Sequence, residues 1–409
     1  MNVRRMNILI LGTNRGGHQR LIERGHRVVF LSKASTAVRD DVKAGYSDLL
    51  LLADDADDAL YLRIAEALHA QHRFDVVHSF HDGYQVLAAT VAAKLGVRCL
   101  IDAGAVRTTI DKAKTREAAR ANGLSAVDAV VVSDFEALSA HCARKNGALI
   151  VKPVDGTASR GVVLVRNRSE IDALAAAEFP MLVEDFIEGD EFSVEAFSVD
   201  GEHHILAITE KFKHPDTFVE IGHLVPARLT QAQADAAASY VADVLDVVGM
   251  RNGPSHTEIM LAGDRIELIE THSRTGGDEI PHLVRLATDI DVHTLDAVHL
   301  EGGDPRAVLQ ASLGIVQGAR RYAAIRYLAA DPRKTGVLGA INGVEDARAM
   351  PGIVECVVEK HPGETVRALT NSFDRLAYAI AVGDDGDAAL STAQMAVSAL
   401  RVDTRASAP

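Results

Sequence analysis

The most constraining stretch of the sequence is His256-Thr257-Glu258-Ile259-Met260, followed after Gly263-Asp264 by Ile266-Glu267-Leu268-Ile269-Glu270-Thr271-His272-Ser273-Arg274-Thr275-Gly276-Gly277-Asp278. Two β-forming runs, Thr257–Leu261 and Arg265–Thr271, flank the Gly-Asp pair, which predicts a tight hairpin. Side chains alternate faces along a strand, so Glu270, His272 and Arg274 share one face if the strand persists that far. A turn centred on Asp264 sets Glu258 opposite Glu270 on that face. Two facing carboxylates repel unless a cation lies between them, and oxygen ligands of this kind suit Mg²⁺ shared with substrate phosphates. The plain alternative is two solvated strand acids. An uncompensated pair is a poor structural choice, so the spacing favours function.

The rest of the chain must form a scaffold for that hairpin. Its 409 residues exceed one compact domain and suit two or three. With no Trp, 7 Tyr and 11 Phe, the core must rest on Ala, Val, Leu and Ile, which fits a helix-covered parallel sheet better than a β-sandwich. Aromatic poverty disfavours base stacking, and a net charge of −14 disfavours general nucleic-acid binding. Cys99, Cys142 and Cys356 lie far apart, with neither zinc spacing nor a disulfide framework, so a reducing cytoplasm is the expectation. The run Ile8–Leu11 is too short for a signal segment, and no apolar stretch approaches membrane-spanning length. The expectation is a soluble cytoplasmic protein with no nucleic-acid or membrane partner.

In the first hundred residues short apolar runs alternate with helical ones. Strands are expected at Asn7–Leu11, Arg27–Leu31 and Asp75–Ser79, with helices to about Arg24, over Ala59–Gln71 and over Ala88–Leu95, the last stopped by Gly96. This alternation predicts βαβ units and a parallel sheet. Gly12 and Gly17 tempt a dinucleotide reading, but Asn14 stands where the second glycine of G-x-G-x-x-G belongs. A tight turn is the better reading, and an NAD-dependent enzyme is disfavoured. His69, His72, His78 and His81 read as surface or turn residues.

The middle of the chain changes character. Leu149–Pro153 and Val162–Val165 predict antiparallel strands around the small, polar loop Asp155-Gly156-Thr157-Ala158-Ser159-Arg160-Gly161. Such a loop can offer backbone N–H groups and hydroxyls to phosphate oxygens, with Lys152 adding charge, although it is no Walker loop. Its alternative is a hairpin with a solvated lysine. Strands are expected at Met181–Glu184, Glu191–Ser198 and Ile205–Lys211, then a long amphipathic helix over Gln231–Val248. Glu184-Asp185-Phe186-Ile187-Glu188 gathers acids at an apolar strand end, suited to an adenine edge and ribose hydroxyls or to a plain charged turn. The last ninety residues or so predict short strands, a closing helix over Ala388–Leu400 and a loose tail from Asp403.

In their order and spacing these segments resemble the ATP-grasp superfamily, over nearly the whole chain. The nearest likeness is to carboxylate–amine ligases such as bacterial L-amino acid ligases, with wider similarity to D-alanine–D-alanine ligase and biotin carboxylase. Asp111-Lys112-Ala113-Lys114-Thr115-Arg116 looks like the family's D-K-x-x-x-R entry into the grasp domain. The resemblance implies ATP-phosphate roles for Lys112 and Lys152 and a covering loop containing Gly156, Thr157, Ala158, Ser159 and Gly161. It further implies an adenine hinge at Glu184, Asp185 and Ile187, a ribose contact at Glu191 and a nucleotide-site lysine at Lys211. Glu258 and Glu270 match the metal-binding acids; His272 replaces the family asparagine, which makes Mn²⁺ an alternative to Mg²⁺. Arg274 matches the catalytic arginine, and Glu220, His223, Gly276 and Gly277 fall at positions near the substrates.

The implied fold is α/β (α+β). It comprises an N-terminal Rossmann-like domain at 1–105 and a two-lobed ATP-grasp core at 106–310, with a lid subdomain at about 125–188. A small mixed C-terminal domain follows at 311–402, with a flexible tail at 403–409. The implied reaction activates a carboxylate as an acyl phosphate at the expense of ATP and passes it to an amine, releasing ADP and phosphate. A small-molecule carboxylate and amine are then the partners, and a homodimer is the family-level expectation. A bicarbonate- or formate-activating enzyme on the same fold, and a nucleotide-binding protein without turnover, are the competing readings.

Overall fold

The computed structural model describes residues 4–13, 16–38, 40–154, 161–215, 217–315, 321–331 and 335–405. Four parallel strands open the chain: β1 (Asn7–Leu11), β2 (Arg27–Lys33), β3 (Asp48–Leu52) and β4 (Val76–His78), in the order β3-β2-β1-β4. Strand β1 is apolar on both faces because both are covered. Leu9 and Leu11 pack with Tyr61, Leu68, Leu87 and Val91 from the helices Asp58–His72 and Asp82–Leu95. Ile8 and Ile10 pack on the other side with Leu21, Phe80, Ala297 and Leu300. Ala297 and Leu300 come from the helix Val292–Leu300, so a late segment seals an early sheet. Glu301 reinforces the contact by accepting from Arg24 Nε at 2.5 Å and Nη2 at 2.6 Å.

The glycine-rich turn after β1 is explained by packing. A Cβ on Gly17 would lie 2.3 Å from Phe80, one on Gly16 2.6 Å from His293, and Gly12 has φ +108° beside the Tyr84 ring. Asn14 lies outside the described residues. Strand β3 was not foreseen in the sequence, although its four consecutive leucines pair with β2 in parallel. His78, expected on the surface, is buried.

A second sheet holds β5 (Ala129–Val132), β6 (Leu149–Pro153), β7 (Val163–Val165) and β8 (Met181–Asp185), antiparallel in the order β5-β8-β6-β7. The β6–β7 pair has the expected antiparallel sense. The third sheet begins with β9 (Asp190–Val199), β10 (Glu202–Lys213), β11 (Glu220–Val225), β12 (Gly253–Ala262) and β13 (Arg265–His272). The helix Gln231–Val248 starts on a Thr230/Gln233 capping box, ends at left-handed Gly249, and packs Val241 and Leu245 against this sheet.

The remaining strands are β14 (Tyr322–Leu328), β15 (Gly336–Asn342), β16 (Ile353–Val358), β17 (Thr365–Val366), β18 (Ala377–Gly383) and β19 (Arg401–Arg405). Strands β14, β18 and β16 continue the core sheet, giving eight strands in the order β13-β12-β9-β10-β11-β14-β18-β16. Gly222 at the β11–β14 seam has no room for a side chain, since a Cβ would lie 2.7 Å from the Ile325 carbonyl oxygen. Only β17-β15-β19 forms a separate sheet. Residues 403–405, expected as part of a loose tail, instead belong to β19 and pair with β15, so the C-terminal region closes on its own end. Among the described residues no helix is long and apolar enough to cross a membrane.

Gly17→Ala drives a methyl group into the Phe80 ring and is expected to destabilise the protein by about 1–3 kcal/mol. A urea titration reads this as a lower midpoint at unchanged slope.

Candidate active site

The hairpin places Glu258 opposite Glu270, as the sequence predicts, but by a different route. Ala262 pairs with Arg265, so the turn is centred between Gly263 and Asp264, half a residue earlier than expected. Unbroken pairing from there would set Glu258 against Ile269 and turn Glu270 to the other face. A β-bulge intervenes: Ile259 pairs with Leu268, Glu258 pairs with Glu270, and Ile269 is the extra residue. The bulge brings both acids to one face.

That face lines a cleft of about 400 Å³ between the second and third sheets. Of the residues expected at the nucleotide, Lys112, Lys152, Glu184, Asp185, Ile187, Glu191 and Lys211 all line it, with Glu220, Glu258 and Glu270. Gly156, Thr157, Ala158 and Ser159 lie outside the described residues. Gly161 is described, at φ +75° beside Pro153, and does not line the cleft.

Within the cleft most of the charges are answered by another. Lys211, with a side chain only 2% exposed, lies 2.5 Å from Glu258, 3.0 Å from Glu191 and 3.0 Å from Glu220. Glu191, expected at a ribose, is thus engaged by Lys211 and also by Lys213. Glu184, expected at adenine, is buried between Lys152 at 2.5 Å and Arg116 at 2.8 Å. Arg116 also donates to the Leu268 carbonyl at 2.6 Å, tying the second sheet to the hairpin. Asp185 is held by Lys145 at 2.8 Å.

The metal-candidate acids are ionised. Burial pushes both carboxyls up, but Lys211 and His256 outweigh it at Glu258, and His272, Lys112 and Lys152 outweigh it at Glu270, so both stand well below the usual carboxylate range. Lys112 Nζ lies 3.2 Å from Glu270 Oε2. His272 Nε2 is 3.1 Å from Glu270 while Nδ1 pairs with Asp82 at 3.0 Å. A carboxylate on the far nitrogen is the usual support of a ligating histidine. Two ionised carboxylates fit a divalent cation, with oxygen donors favouring Mg²⁺. Burial lowers the His272 pKa but Glu270 and Asp82 raise it above the usual imidazole range, so this ring would become a ligand only on losing its Nε2 proton. Glu191, Glu220 and Glu258 also bring oxygens within 4.8 Å of one another, and there the Lys211 ammonium supplies the positive charge.

A second chamber of about 660 Å³ shares Lys211, Glu220, Glu258 and Glu270 with the cleft. Arg274, His223 and Gly277 line it, whereas Gly276 packs beneath His256, where a Cβ would lie 2.9 Å from Nδ1. Arg274 lies beyond the end of β13 and donates from Nε to Asp82 at 3.0 Å and from Nη1 to the Thr275 carbonyl at 2.9 Å.

Several chamber residues escaped the sequence reading. His81, a half-buried turn residue that caps the helix Asp82–Leu95, also lines the wall. Asp82, from the N-terminal region, orients His272 and Arg274 together. His256 is held by Glu195 at 2.9 Å and lies 3.2 Å from Glu258; burial lowers its pKa, yet these two carboxylates prevail and push it up to about 9. Asp278 takes a bidentate pair from Arg375 at 2.7 and 2.6 Å and lies 3.3 Å from His223. The only local signal among these was the D-K-x-x-x-R pattern, which contains Arg116. The others are brought together by segments far apart in sequence.

Comparison with known proteins follows this geometry. Residues 146–282 match the ATP-grasp domain, and residues 326–405 match the L-amino acid ligase C-terminal domain 2. The fold is similar to the crystal structure of L-amino acid ligase from Bacillus licheniformis, with a TM-score of 0.85 over 98% of this chain and 99% of that one at 20% identity. Among curated proteins, the uncharacterized protein y4rH of Sinorhizobium fredii is 29% identical over 262 residues, covering 61% of this chain and 52% of its own. Alanine–anticapsin ligase of Bacillus subtilis is 24% identical over 257 residues, covering 55% and 53%. The chain thus spans about half the length of these curated relatives. It has the ATP-grasp fold and carries an ATP-grasp domain.

Two predictions follow from these contacts. Asp82→Asn removes the anion that orients Arg274 and His272 and, on the ligase reading proposed below, is expected to cut turnover about 10–100-fold, as supporting contacts of this kind do. ATP affinity, measured by calorimetry, should stay unchanged. Glu184 is held below its usual range: burial opposes this, and Lys152 and Arg116 prevail. A depressed carboxylate adds stability that is present above the unfolded-state pKa and is lost as pH falls through the folded one. Denaturation from pH 7 to pH 3 should therefore show a shallower acid-side loss of stability in Glu184→Gln than in the wild type.

Proposed function

We propose that this protein is an ATP-dependent carboxylate–amine ligase working through an acyl phosphate, joining an amino acid or another small carboxylic acid to an amino acid. The observation that carries the reading is the bulged hairpin, which sets Glu258 and Glu270 on one face between a lysine-lined cleft and an arginine-bearing chamber. The cleft takes ATP and the chamber takes the two substrates. Lys112 and Lys152 neutralise phosphate charge, and Arg116 and Glu184 position Lys152. Glu258 and Glu270, with His272 beside them, would hold Mg²⁺, which would supply positive charge to neutralise the phosphates.

The substrate carboxylate attacks the γ-phosphorus, ADP leaves, and the amine attacks the acyl carbon and expels phosphate. Phosphoryl transfer of this kind needs positioning and charge neutralisation more than covalent chemistry, which is what fixed lysines and acids supply. Arg274 faces the chamber with its Nε fixed by Asp82, so its guanidinium is oriented before substrate arrives. It stabilises first the carboxylate and then the oxyanion of the tetrahedral intermediate.

The discriminating experiment measures ADP release across a matrix of carboxylates and amines with Mg²⁺. Release only when both are present is the expected result. Release with labelled bicarbonate or formate incorporated would support the carboxylase-type or formate-dependent reading instead, and ATP binding without turnover on any pair would overturn the enzyme reading. Arg274→Ala is expected to lower amide formation about 10²–10³-fold, the scale of one lost oxyanion donor, with ATP affinity retained. Glu270→Gln should shift the Mg²⁺ requirement upward, and an unchanged Mg²⁺ titration would remove Glu270 from the metal site.

A further inference from the structure

The second chamber is walled almost wholly by charged and polar groups. The cations among them already have partners: Arg274 with Asp82, Arg375 with Asp278, Lys211 with its three glutamates and Lys360 with Glu364. Apart from Gly277, its non-polar wall residues are Ile280 and Phe373. Phe373 is 69% exposed, the most exposed large hydrophobic residue among those described. In a chain with no Trp and 11 Phe, a phenyl ring held in water at a chamber wall needs a reason.

Its exposure is built into the local structure. Phe373 sits in the short 3₁₀ turn Ser372–Asp374, capped from both sides. Asp374 Oδ2 accepts from the Thr370 and Asn371 amides at 3.0 and 3.2 Å and from the Thr370 hydroxyl at 2.6 Å. Asn371 Oδ1 accepts from the Phe373 amide at 2.9 Å. The following side chain, Arg375, is clamped to Asp278 and stacks 3.8 Å from the centroid of the Tyr327 ring. The turn is pinned to the core, which fixes the backbone of Phe373 at the rim of the chamber.

We infer that Phe373 is a specificity-determining residue that receives an apolar, preferably aromatic, side chain of one substrate. The inference rests on the ligase reading and names a substrate class for its second chamber. An amino acid places its charged head among the paired ions near Arg274 and turns its side chain toward Phe373. Covering an exposed ring with an apolar group removes both from water, and aromatic partners add edge or offset-stacking contact. A single apolar contact at the rim of a polar chamber acts at the low end of hydrophobic discrimination, about tenfold.

The test compares glycine, alanine, leucine and phenylalanine with wild type, Phe373→Ala and Phe373→Leu, by calorimetric binding and by ADP release. Phe373→Ala should lower kcat/KM and affinity for phenylalanine and leucine about tenfold while leaving glycine and alanine within about twofold. Phe373→Leu should restore leucine more than phenylalanine. Equal losses across the series, no loss at all, or a change of sedimentation coefficient in Phe373→Ala that marks the ring as a subunit contact would each overturn the inference. If wild type binds the apolar amino acids selectively through Phe373 but turns over no carboxylate–amine pair, the ligase reading falls and the specificity site stands.

Discussion

The arrangement depends on one extra residue. With the turn between Gly263 and Asp264, regular pairing would put Glu258 and Glu270 on opposite faces of the sheet. The bulge at Ile269 rotates the end of β13 and returns Glu270 to the face that carries Glu258. Beyond Glu270 the chain delivers His272 and then Arg274 toward the second chamber. A one-residue slip would send an ionised carboxylate into the packing against the helix Lys112–Ala121 and take from Lys112 the Glu270 carboxylate that it faces.

Around that hairpin the site is a set of mutual compensations. Buried charges are tolerable when paired and hydrogen-bonded. The Lys211 hub, the Arg116–Glu184–Lys152 chain, the Asp82–Arg274 contact and the Arg375–Asp278 pair each satisfy this rule. Two of these pairs reach outside the core: Asp82 begins the helix after β4, and Arg375 leads into β18. The chamber therefore exists only when three distant parts of the chain meet. The continuous eight-stranded sheet makes the C-terminal strands part of the same body as the hairpin, which keeps the Arg375 turn in register with Asp278.

Much of this was legible locally. The strands β1, β2, β6, β9 and β10, the long helix Gln231–Val248 and the hairpin follow from periodicity and capping, since each is set by residues within a few positions of one another. Strand β3 escaped because four leucines in a row carry no alternation to distinguish strand from helix. The tail from Asp403 reads as loose because it is polar, yet residues 403–405 belong to a strand because β15 offers an edge to pair with. Asp82 gave no signal, because its partners lie about 190 residues away.

The sequence by itself determined which chemistry is available: two acids spaced across a Gly-Asp turn, lysines at strand ends and a trailing arginine, with composition excluding aromatic recognition of bases. Only the tertiary structure decided which of those groups face each other. It supplied the bulge that corrects the register, the Asp82 anion that orients Arg274, and the joined sheet that brings Phe373 to the chamber wall. The physical reason is that side-chain period and turn chemistry act over a few residues, whereas compensating a buried charge requires whichever partner the packed fold brings within about 3 Å.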